Sequence, residues 1–280
     1  MEHNITRSGA IEFCFNELIT VTNKREYEKI YKNCVIGGEI KETQINRRFY
    51  CNKEELITWK QKREASKITL NKEDYLECLR FALKSFYSSA SHADFGGAFQ
   101  RDLGKYITDH VSGKLGEIAL RKFLHNNYYV DIGLDFDVHG TITSQDITRV
   151  KKRKNKPEVW NNPNIKVSIK TTKLKNYLLI ISENEYNLDD RKSDYYVFVR
   201  VDLPSDHLLR LLRDIKDFKE IKNFIAEFKD IDAYLTGFCK REDLEGPATE
   251  LPGLTNISGK RYYKRSGDLS DNWQEFVNIL

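Results

Sequence analysis

The sequence predicts an α/β fold, a mixed sheet flanked by helices, with a mainly helical region at its N-terminal end. Three observations carry that expectation. Residues 112–124 repeat apolar side chains at helical spacing, with Leu115, Ile118, Ala119 and Phe123 on one stripe. Residues 165–170 alternate as a half-buried strand should. Residues 177–181 and 195–201 are β-prone and nearly continuous in apolar character, the pattern of central strands buried on both faces.

Taken in order, residues 1–71 carry small basic groups around short apolar stretches and show neither a repeat nor a low-complexity tract. A helix is expected from Asn71 through Ser88. Asn71 can cap it, Glu73 and Asp74 fall in its first turn, and Tyr75, Leu79, Ala82 and Phe86 recur near helical spacing. Residues 92–100, with Gly96-Gly97, read as a loop. A second helix is expected to open at Ser112. Strands follow at 128–134 and, after a turn, in the stretch containing Ile142, Ile147 and Val150. Residues 206–228 repeat Leu208, Leu212, Ile215, Ile221, Ile225 and Phe228 every three to four positions and so predict a long surface helix. Tyr234 to Phe238 reads as a final strand, and the tail, rich in Gly and Pro, as loops. The expected organisation is an N-terminal accessory region at 1–90, a core at 91–245 and an extension at 246–280 packed on the core.

Composition narrows the function classes. With 280 residues, 40% hydrophobic and 31% charged, the chain can bury a sizeable core and is not of disordered type. A net charge of +4 permits a polyanionic partner without demanding one. Five scattered cysteines form no CxxC pair, which argues against a disulfide framework or structural zinc. No cationic-then-apolar leader and no run of about 18 apolar residues is present, so the expectation is a cytoplasmic protein without a membrane partner. Neither a dinucleotide fingerprint nor a phosphate-binding P-loop occurs.

The residues that could carry chemistry are Glu117, Asp146 and Lys170. Asp146 stands at the start of a strand in Gln145-Asp146-Ile147. Lys170 ends Val167-Ser168-Ile169-Lys170, and Glu117 projects from the preceding helix. Adjacent strands can bring an acid and a lysine to one sheet margin, with the helix supplying a second carboxylate. Phosphodiester hydrolysis uses such a set. Mg²⁺ takes oxygen ligands, commonly one or two carboxylates with several waters, and a lysine can orient the attacking water or counter phosphate charge.

These segments resemble the PD-(D/E)XK nuclease superfamily and, within it, type II restriction endonucleases. The resemblance runs through Gly113-Lys114-Leu115-Gly116-Glu117, Gln145-Asp146-Ile147 and Ser168-Ile169-Lys170-Thr171-Thr172. It continues through 178–185, 193–199 and 236–244, spanning roughly 113–245. It implies a restriction-endonuclease-like fold and Mg²⁺-dependent cutting of double-stranded DNA, with a homodimer expected for a palindromic site. Asp146 would be the central metal ligand, Lys170 the catalytic lysine, Glu117 the helix-borne acid and the carbonyl of Ile169 a further ligand. Two departures stand out. Gln145 replaces a proline that does no chemistry. Ser168 occupies the position of the second acid, so that carboxylate must come from elsewhere: Glu117 is the simpler donor, with Glu183 and Glu185 as alternatives. A degenerate nuclease that binds without cutting and a structure-selective repair or junction nuclease are the competing readings.

Arg149, Lys151, Lys152, Arg153, Lys154 and Lys156 concentrate positive charge between the proposed acid and lysine, in what reads as a connecting loop suited to phosphate contact. Lys60 to Arg63 and Arg261 to Arg265 are further basic stretches.

Overall fold

The computed structural model describes residues 4–15, 24–88, 102–138, 145–153, 159–215, 220, 222–254 and 258–280. The N-terminal part runs β1 (Asn4–Thr6), α1 (Arg7–Phe15), α2 (Lys24–Ile36), β2 (Thr43–Ile45), β3 (Arg48–Asn52), α3 (Lys53–Ala65), β4 (Lys67–Leu70) and α4 (Lys72–Tyr87). Then follow α5 (Leu103–Tyr128), β5 (Val130–Leu134), β6 (Ile147–Lys152), β7 (Val167–Lys173), β8 (Leu178–Ser182), α6 (Glu183–Asn187) and β9 (Tyr195–Val201). The chain closes with α7 (His207–Leu212), a 3-10 turn at Lys222–Phe224, β10 (Ile231–Lys240), β11 (Glu245–Ala248), β12 (Arg261–Arg265) and α8 (Trp273–Ile279).

The fold is α/β. Its main sheet has the order β4-β10-β9-β7, with β7 and β9 parallel and the other pairs antiparallel. β4, from the first ninety residues, is thus an edge strand of that sheet. A separate hairpin pairs β5 with β6, and smaller sheets have the orders β1-β3-β2 and β11-β12-β8. No helix among the described residues is long and apolar enough to cross a membrane.

Both faces of the sheet are covered, which explains the continuous apolar run of β9. Val197, Val199 and Val201 join Val167, Ile169 and Leu235 beneath Val111, Leu115, Ile118 and Ala119 of α5. Tyr196 and Phe198 turn to the opposite face, against Leu179, Ile181 and Tyr262. Each fully buried side chain of this size contributes roughly 1.5–3 kcal/mol. The polar interruption of the run, Arg200, is also buried. Its guanidinium donates to both oxygens of Glu39, at 2.8 and 2.9 Å, and Trp59 and Ser266 donate to the same carboxylate. Burial alone would raise the Glu39 pKa, but the Arg200 charge and these hydrogen bonds outweigh it and hold it down at about 2. The N-terminal part, β9 and the tail are thereby tied together by one buried carboxylate.

α4 forms as its sequence predicts, with Asn71 and Asp74 in a reciprocal capping box. Four other expectations are corrected. α5 starts at Leu103, capped by the Asp102 side chain on the Lys105 amide at 2.7 Å, so Ser112 is interior to it. Its first turns hold Gly104 and Thr108, weak helix formers, and α4 and the sheet bury it on more than one side, which blurs the apolar stripe. The described part of 206–228 is α-helical only at His207–Leu212. Leu209, Ile215 and Phe224 are exposed there, so no continuous apolar face is buried to sustain a longer helix. β8 lies at the margin of the β11-β12-β8 sheet and is not central. β10 extends beyond Tyr234–Phe238 and is not final, because β11, β12 and α8 follow. Trp273 and Phe276 of α8 lock onto Phe123 and Phe238. Residues 92–100 and Ile142 lie outside the described residues.

One contact sets the position of α5 over the sheet. A Cβ added at Gly116 would lie 2.9 Å from the Cβ of Thr171 in β7, whereas one at Gly113 would meet nothing. Gly113→Ala is therefore expected to stabilise by about 0.5–1 kcal/mol through helix propensity. Gly116→Ala is expected to destabilise, because overpacking costs ~1–3 kcal/mol. Thermal melts of the two variants check this, and equal shifts of one sign would show that α5 does not seat on Thr171.

Candidate active site

The site is built at the free margin of β7. That strand is last in the sheet, so one side of its backbone is open to a partner other than β9. Asp146, just before β6, fills the place: its amide donates to the carbonyl of Val167 at 2.9 Å, and its Oδ2 accepts from the amide of Ile169 at 2.6 Å. In an extended strand, the amide and carbonyl of one residue point to the same side. The carbonyl of Ile169 therefore opens on the margin where Asp146 sits. Val167 and Ile169 belong to the core under α5, so Ser168 and Lys170, alternating with them, face the other side of the sheet.

Glu117 reaches this margin from α5. Its side chain is buried and close enough to Asp146 for the two charges to interact. Burial, and then repulsion from Asp146, push the Glu117 carboxyl up to about 8, outweighing the ammonium of Lys114. Lys114 Nζ bonds Glu117 Oε2 at 2.8 Å and the Asp135 carbonyl at 2.6 Å, and lies over the rings of Phe81 and Phe136. The sequence reading assigned no role to Lys114. Its signal was the three-residue spacing from Glu117, which puts both on one helix face.

The expected residues thus divide. Glu117, Asp146 and the Ile169 backbone are brought together. The Lys170 ammonium, one residue beyond Ile169, pairs with Glu185 Oε1 at 2.6 Å. Of the two alternative acids, Glu185 is beside the lysine, whereas Glu183 turns to Lys260 at 3.7 Å. Ser168 is buried. Among the described residues no group of three or more His, Cys, Asp or Glu side chains is placed to hold a metal ion.

The basic stretch is not wholly a connecting loop. Arg149, Lys151 and Lys152 lie within β6, paired with β5, and Arg153 follows directly. Lys151 and Arg153 both reach Asp131, at 3.1 and 2.8 Å, and Arg149 and Lys151 lie over the ring of Trp160. Lys154 and Lys156 fall outside the described residues. Arg63 is buried with its guanidinium over Tyr234, which removes it from the surface basic groups, and Arg261 to Arg265 form β12.

No known protein family, curated protein or solved structure matches the chain.

Proposed function

We propose that this protein is a Mg²⁺-dependent endodeoxyribonuclease with a restriction-endonuclease-like fold and a PD-(D/E)XK-type site, and that it acts as a type II restriction endonuclease. One observation carries the reading. Two carboxyl groups, Glu117 and Asp146, lie close enough to interact at a sheet margin beside the Ile169 backbone, and Lys170 follows on the opposite face of β7, paired with Glu185.

The donor set fits a hard divalent cation. Mg²⁺ is commonly held by one or two carboxylates, with waters completing the shell. Glu117 and Asp146 supply the carboxylates and Ile169 a carbonyl. A cation there would offset the burial and the Asp146 repulsion that together drive Glu117 towards its protonated form. Bound Mg²⁺ lowers the pKa of a water and offsets charge on a phosphate in the transition state.

The chain's own residues do the rest. The Ile169 amide fixes Asp146 through Oδ2, which sets the aim of its other oxygen. Lys170 supplies a positive charge for the phosphate or the attacking water, and Glu185 restrains its flexible stem. Glu185 also puts an acid beside the lysine, on the face where Ser168 replaces one. Glu117, its carboxyl raised to about 8, holds a proton near neutral pH and would give it up to serve as a ligand.

The substrate of this reading is double-stranded DNA, cut by a cytoplasmic homodimer at a short sequence. Digestion of a mixed-sequence plasmid with Mg²⁺, followed by sequencing of the fragment ends, is the test. Discrete ends sharing one short sequence are expected. Intact plasmid in both Mg²⁺ and Mn²⁺, despite DNA binding, would instead identify a degenerate nuclease. Cutting confined to branched DNA would identify a structure-selective one.

A further inference from the structure

A second feature lies further along α5. A pocket of about 300 Å³ is lined by Arg121, Lys122, His125, Asp131, Ile132 and Trp160. We propose that it binds one nucleotide of the DNA strand, phosphate on the Arg121, Lys122 and His125 side and base against Trp160. The choice of DNA as ligand rests on the nuclease reading, while the chemistry of the pocket does not.

Three observations point to a nucleotide. The first is charge. Arg121, Lys122, Arg149, Lys151 and Arg153 surround the pocket and Trp160, with Glu77, Asp74 and Asp131 as their acidic partners. Among the described residues, Arg121 and Lys122 line the pocket itself, and Arg149, Lys151 and Arg153 reach its Trp160 and Asp131. The acids serve as anchors: Asp131 alone takes His125, Lys151 and Arg153, which holds its carboxyl down at about 2 although burial opposes this. The second is the aromatic wall. Trp160 lines the pocket and is 40% exposed with Arg149 and Lys151 over its ring, and two backbone hydrogen bonds between Asn161 and Val150, both 2.8 Å, fix the segment beside it. Stacked aromatic faces and cationic grooves together are how proteins hold unpaired nucleotides. The third is size: the volume is at the lower end of small-ligand sites, suited to one nucleotide unit.

The placement is consistent with a shared strand. Arg121 and His125 lie one and two turns beyond Glu117, about 6 and 12 Å along the helix at 1.5 Å per residue.

The test uses the full chain in EDTA with a short single-stranded oligodeoxynucleotide, so that binding is read without cleavage. Trp59 and Trp273 are 9% and 5% exposed, so quenching of tryptophan emission reports mainly Trp160. Saturable quenching is expected. Trp160→Leu should remove it and weaken binding about tenfold by fluorescence anisotropy, the loss expected when a base loses its platform. Lys122→Gln should weaken binding with quenching retained. Melting temperatures matching the parent guard against misfolding, and a Trp160→Phe variant that restores affinity supports stacking. Unchanged affinity in both Trp160→Leu and Lys122→Gln overturns the proposal, as does equal displacement by inorganic phosphate, which would mark a bare anion site. If plasmid is never cut yet this binding persists, the nuclease reading falls and the pocket stands.

Discussion

Asp146→Ala and Lys170→Ala should each reduce plasmid cleavage by on the order of a thousandfold or more while sparing DNA binding, a loss of the size seen when one charge-stabilising group leaves a catalytic site. For Asp146 the geometry makes the argument sharper, because the residue has two separable jobs. Its Oδ2 accepts from Ile169 and its amide donates to Val167, so it also pins the start of β6 to β7. Asp146→Asn keeps an acceptor for the Ile169 amide but loses the charge. It should melt like the parent and still be inactive, which Asp146→Ala alone could not show. Lys170 is tied to the acid Glu185, and the pair is partly exposed, so its loss should cost little stability. Glu185→Gln leaves the ammonium in place but less restrained, and a loss of roughly tenfold is expected from poorer orientation of the lysine. Cleavage that persists in both Asp146→Ala and Lys170→Ala would remove the site from this margin of the sheet.

How much of this arrangement the sequence disclosed depends on the length scale of each determinant. α4 was legible because its cap is local: Asn71 and Asp74 are three residues apart and satisfy each other's backbone. β7 was legible from its alternation, and β9 from the continuous apolar run that burial on both faces imposes. The start of α5 was hidden, since it depends on Asp102 and on packing by α4, with no apolar stripe to announce it. The 206–228 stretch was over-read for the opposite reason: the period was present, but while Leu208, Leu211 and Phe228 pack against the core, Ile215 and Phe224 are exposed, so the apolar stripe is not buried along its length. At the site, the order Glu117, Asp146, Lys170 could be read, but not the means of holding them. Asp146 is fixed by a backbone amide, which no sequence pattern displays. The choice of Glu185 over Glu183 is made by the turn of α6, capped at Ser182, and by Lys260 arriving from the tail. Lys114 stands three residues before Glu117, but its burial with that carboxyl depends on Phe81, Phe136 and the Asp135 carbonyl, which lie far off in the sequence.

Glu117 gives the other large effect, and it is a pH effect. Its carboxyl is pushed from an ordinary value of 4.5 up to about 8, first by burial and then by Asp146. Between those two values the unfolded chain has released the proton and the folded chain still holds it, so folding stability falls as pH rises from about 5 to about 8. Below that window this contribution is fully present, and above it the loss is complete. Glu39, held near 2, has the opposite sign but acts only at the acid end. His207, with its pKa lowered by burial, opposes the trend below neutrality, so the comparison must be between variants and not within one curve. Metal-free Glu117→Gln should lose the decline that the parent shows. Added Mg²⁺ should raise the parent's melting temperature progressively more towards pH 8, because the cation takes the place of a proton. The same addition should do far less to Glu117→Gln or Asp146→Asn. A Gln variant that keeps both the parent's pH slope and its Mg²⁺ shift would show that this buried carboxyl is neither the titrating group nor a ligand, and the two-carboxylate site would lose its second member.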